Sequence, residues 1–104
     1  MQSLMIVPRL LPEVRAGLKL HTIRWREPDI QPGPMLYVNM QDACDTVRVV
    51  VTRVETMKLS DVAARLGKSV EWSDWVLLQG MREHYPTIEI DSEVVVIHHL
   101  PPGT

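Results

Sequence analysis

The chain has 104 residues, 45% of them hydrophobic, which suits one domain (1–104) built around one core. A formal charge of −2 argues against a protein that coats nucleic acid nonspecifically, and a single cysteine, Cys44, excludes an internal disulfide. The longest apolar runs, Val49 to Val51 and Val94 to Ile97, are far shorter than a membrane span. With no small-residue cleavage pattern in Met1 to Pro12, the expectation is a soluble, cytoplasmic protein with no membrane partner.

Taken in chain order, Pro8 to Ala16 (PRLLPEVRA) spaces Leu10, Leu11 and Val14 as a two-turn helix, with Gly17 placed to stop it. Lys19 to Arg26 (KLHTIRWR) then alternates as a strand. It sets Lys19, His21, Ile23 and Trp25 against Leu20, Thr22, Arg24 and Arg26. Three prolines and Gly33 between Pro28 and Pro34 make a turn-rich connection. Met35 to Asn39 reads as a strand, Gln41 to Asp45 as a polar loop, and Thr46 to Met57 as a long β-branched strand. A helix follows over Leu59 to Leu66, with Ser60 as N-cap and Gly67 as stop. A second is expected over Ser73 to His84, capped by Ser73, with Trp75, Leu78 and Met81 on its buried stripe. Val94 to Leu100 closes as a strand. Sequential strands without alternating crossover helices predict an α+β fold: a small mixed or antiparallel sheet curling into a barrel with short helices beside it.

Charge is unevenly spread. Residues 1–27 hold Arg9, Arg15, Lys19, Arg24 and Arg26 against Glu13 and Glu27, whereas the rest of the chain is acidic. A basic patch on an acidic body suits a phosphate or a polar base better than a long duplex.

The segment Gly17-Leu18-Lys19-Leu20-His21-Thr22-Ile23-Arg24, opening a strand after a short helix, resembles the G-x-K-x-x-T-x-R segment of the ASCH domain. The glycine-containing turn before a strand, the Tyr85-Pro86 helix end and the closing apolar strand are similar too. Two positions depart from the family pattern, since leucine stands at 18 and 20 where members often carry a basic residue and a hydroxyl. The resemblance implies a PUA-like barrel with a cleft for RNA or a nucleoside. Some small bacterial members of this family are similar to N4-acetylcytidine amidohydrolases, in which a lysine, a threonine and a glutamate react. Lys19 and Thr22 match the first two, and Glu71 is the nearest match to the third.

The chemistry of such a set is general. A threonine hydroxyl becomes a nucleophile only if a neighbour takes its proton, and a lysine does so when burial lowers its pKa. A carboxylate returns a proton to the leaving amine, and Arg24 suits a carbonyl or phosphate oxygen. His21, Trp25 and Arg26 complete the expected binding set, with Trp25 offering a face for base stacking. Each residue also has a plainer use: Lys19 at a strand edge, Thr22 as a β-former, Arg24 and Arg26 paired with Glu27 or Asp29, and Glu71 at a helix start. His98 and His99 point to opposite strand faces, and no HxH or HxxxH spacing exists, so neither a metal nor another cofactor is expected. Three functions remain in view: an amidohydrolase acting on a modified nucleoside, a non-catalytic binder of single-stranded RNA, and a ribonuclease.

Overall fold

A computed structural model describes residues 1–103 of the chain. Its elements are β1 (Gln2–Ile6), a 3-10 turn (Pro8–Leu10), α1 (Leu11–Arg15), β2 (His21–Arg24), β3 (Gly33–Asn39), β4 (Asp42–Lys58), α2 (Leu59–Arg65), α3 (Asp74–Arg82) and β5 (Glu93–His99). The strands form one mixed sheet in the order β1-β3-β4-β5-β2, the α+β class expected. β1 runs parallel to β3, from Gln2 opposite Met35 to Ile6 opposite Asn39. β3 and β4 form an antiparallel hairpin in which Tyr37 faces Val47, with a register shift at Val38/Asn39.

The chain divides into two compact units. The first comprises Met1–Thr22, Pro28–Val54 and the chain from Ile97. It buries Leu4 and Ile6 of β1, Leu11 and Val14 of α1, Met35 and Tyr37 of β3, and Val47, Val49 and Val51 of β4. Strand alternation accounts for this: every second residue of each strand turns inward. At its periphery Asp45 accepts hydrogen bonds from Arg15 and from Asn39 at 3.0 Å. These two bonds, the Asn39 one first, hold its carboxyl below the usual carboxylate range.

The second unit comprises Ile23–Glu27 and Glu55–Val96. Its core joins Leu59, Val62 and Ala63 of α2 to Leu77 and Met81 of α3, Ile88, and Val94 and Val96 of β5. Ile23, Trp25, Trp72 and Tyr85 pack against this cluster. Ser73 caps α3, its hydroxyl accepting the Val76 N–H at 3.3 Å, as the sequence predicts.

Several expectations are corrected. β1 was not anticipated: Met5 is exposed between buried Leu4 and Ile6, so the apolar run hides the alternation. Gln41 to Asp45 is not a loop, because the turn closes at Met40 and Gln41 and β4 starts at Asp42. Ser60 does not cap α2. The helix begins at Leu59 as expected, and its N-cap is Lys58, two residues before Ser60, with no side-chain cap. Trp75 is not core but 70% exposed; the buried stripe of α3 is Leu77 and Met81, a spacing of four rather than three. The strand expected from Lys19 to Arg26 is limited to His21–Arg24, so its strict two-faced division fails beyond those residues.

Candidate functional site

The segment matching the ASCH pattern is launched from the end of α1. Gly17 adopts φ 75°, the left-handed conformation that ends a helix with least steric cost, and its N–H bonds the Val14 carbonyl at 3.1 Å. The N–H groups of Leu18 and Lys19 both reach the Glu13 carbonyl, at 3.0 and 3.2 Å. Lys19 is thereby fixed at its backbone before β2 begins, so strand parity does not govern where it points relative to Thr22. The His99 N–H donates to the Leu20 carbonyl at 3.0 Å, tying the end of β5 to the same stretch.

Within the first unit, Thr22 is only 4% exposed, while Lys19 and His21 are half-buried and Leu18 and Leu20 are exposed. Beside this segment lies a buried polar pair that the sequence did not reveal. The Tyr37 hydroxyl and His99 Nε2 are 2.8 Å apart, and both residues are buried. His99 Nδ1 lies 3.0 Å from the Leu100 carbonyl, which only accepts, so Nδ1 carries the proton and Nε2 accepts from Tyr37. Burial holds the imidazole below its ordinary range, the neighbouring Lys19 and His98 acting in the same direction and the Leu100 hydrogen bond against them. Sixty-two residues separate Tyr37 from His99, and no local pattern links them. His98, on the opposite face, is half-buried, as the alternation predicts.

Within the second unit the same segment continues through Arg24, Trp25, Arg26 and Glu27. The Arg24 guanidinium lies 3.3 and 3.4 Å from the two Glu27 oxygens, realising the plainer pairing open to it. Glu27 also accepts the Tyr85 hydroxyl proton. Burial, then the Glu27 hydrogen bond and charge, pushes the Tyr85 phenol up to about 12. Trp25 and Tyr85 meet edge to face, with ring centroids 6.0 Å apart. Arg26, the one non-glycine residue at positive φ (56°) among the described residues, lays its guanidinium 4.2 Å from the Trp25 ring centroid. Glu71 lies exposed in the turn between α2 and α3. Among the described residues no three His, Cys, Asp or Glu side chains are grouped as metal ligands.

The single mixed sheet with its short helices makes this an α+β chain, a fold it shares with solved ASCH structures. Among the solved structures it resembles are two variants of the protein ZmASCH from Zymomonas mobilis, one a tyrosine-to-phenylalanine and the other a serine-to-alanine substitution. Both match with a TM-score of 0.69 at 12% sequence identity, over 96% of this chain and 70% and 68% of theirs. No protein-family model matches the sequence, and no curated protein matches it.

Proposed function

We propose that the segment from Lys19 to Arg26 holds a modified nucleoside and that the protein is an amidohydrolase removing the acyl group from N4-acylated cytidine. The observation that supports this reading most is Thr22, a buried threonine three residues from Lys19 in a chain of the ASCH fold. In the proposed reaction the Thr22 hydroxyl oxygen attacks the acyl carbon while Lys19 takes its proton. Collapse breaks the bond from that carbon to N4, and Glu71 relays to N4 the proton that Lys19 took, so that N4 leaves as an amine and both side chains return to their starting states. Water then hydrolyses the threonyl ester, releasing the carboxylic acid and restoring the hydroxyl. Arg24, His21, Trp25 and Arg26 are the proposed binding groups for the base and its polar edge. Exposed Leu18 and Leu20 suit a small nucleoside better than a tracked phosphate backbone.

A second reading, a binder of single-stranded RNA without turnover, is favoured by Arg26 lying over Trp25, since unpaired bases stack on indole and guanidinium planes alike. The two are separated by incubating the protein with N4-acetylcytidine and following its absorbance change to cytidine, with Lys19→Ala in parallel. Turnover by the wild type and none by the variant, at equal thermal stability, is expected. Equal turnover by both removes Lys19 from the mechanism. No turnover by the wild type, with saturable binding of a short RNA, selects the second reading.

A further inference from the structure

We infer that Glu27 and Tyr85 form a positioning pair that presets the Arg24 guanidinium and the Trp25 indole for a planar ligand with a polar edge. This rests on the reading above, in which Arg24 and Trp25 touch the ligand.

The turn from Arg24 to Glu27 is short and conformationally costly. It contains an arginine at φ 56°, a region that side chains with a Cβ seldom occupy. Such a turn holds one shape only if contacts from elsewhere fix it. The contacts come from Tyr85, which follows the end of α3 and lies 58 residues from Glu27 in sequence. Its hydroxyl donates to the Glu27 carboxylate. Its ring meets the Trp25 ring edge to face, so one residue constrains both the indole plane and the carboxylate. Glu27 in turn faces Arg24 with both oxygens, and the side chains of the two are only 13% and 25% exposed. An arginine so held gives up little rotamer freedom when a ligand arrives, which is how preorganisation raises affinity without a new contact. Tyr85 itself need not touch the ligand.

The test is a titration with N4-acetylcytidine and with a short single-stranded RNA. Wild type, Tyr85→Phe, Arg24→Ala and the double variant are compared, with thermal stability recorded for each. Phenylalanine keeps the ring and removes the hydroxyl alone. For whichever probe the wild type binds, Tyr85→Phe is expected to weaken binding roughly tenfold, as for a lost hydrogen bond to a charged group. In the Arg24→Ala background the same change is expected to have less than about a twofold effect, because the residue it acts through is gone. A full tenfold loss persisting in that background, or no loss in the single variant, overturns the positioning role while leaving the site intact. Failure of the wild type to bind either probe overturns the functional reading on which it rests. Should Tyr85→Phe prove poorly folded, Glu27→Gln, which weakens the same link from the other side, is carried through the same cycle with the same criteria.

Discussion

His99, in the first unit, is held at both ring nitrogens. Its Nδ1 proton is committed to the Leu100 carbonyl and its Nε2 to the Tyr37 hydroxyl, inside a site that disfavours a charged imidazole. The unfolded chain binds a proton here as pH falls through the ordinary value of 6.5, and the folded chain resists until lower pH. Stability is therefore full above 6.5 and declines as the pH drops below it. Thermal melts at pH 7.5 and 5.5 should show wild type losing more stability than His99→Gln over that interval. Equal losses would contradict a buried neutral His99. Nothing in the sequence announced this pair. His99 carried only a metal-ligand possibility, and its real partner comes from a strand far away in the chain. The Arg24–Glu27 pairing was open to inspection because it is local, three residues apart; the Tyr85 hydrogen bond to the same carboxylate was not.

Among the elements, those with local punctuation were readable. Gly17 and Gly67 both stop helices at positive φ, and Ser73 caps α3. Gly17 matters beyond its helix because Lys19 is fixed immediately after it. A Cβ at this position would need the left-handed conformation and would meet Pro101 Cβ at 3.3 Å. Gly17→Ala should therefore cost about 1–2 kcal/mol in chemical denaturation, the strain of a left-handed alanine. No loss there would show that the helix end is not held as described. Elements defined by pairing across the chain were harder. β1 is parallel to β3 and so carries no hairpin signal. The start of β4 is polar because Asp42 and Asn39 bond the local turn, Asp42 to the Cys44 N–H and Asn39 to the Gln41 N–H. Such composition reads as loop although the ladder continues through it. Trp75 misled for another reason, since apolar residues repeated every three positions drift around a helix, and the buried pair of α3, Leu77 and Met81, is spaced by four.

For the molecule as a whole, the α+β class followed from the order of elements, and the ASCH-type segment narrowed it to one fold. The match to ZmASCH at 12% identity and a TM-score of 0.69 shows that two sequences with little in common build the same sheet and helices. A fold shared at that distance carries no chemistry with it, so function has to be argued from the residues in this chain. No described helix is long and apolar enough to cross a membrane. Thr22 is proposed as a nucleophile rather than a β-former in the core, and its burial makes the choice of variant important. Thr22→Val removes the hydroxyl while keeping the branched shape, so the most direct measurement is N4-acetylcytidine turnover by wild type and Thr22→Val, both shown to be folded by their thermal melts. Conversion to cytidine by the wild type is expected, with a loss of at least about a hundredfold in the variant, the scale that follows when a covalent route is closed. Turnover retained by a folded Thr22→Val would contradict that role.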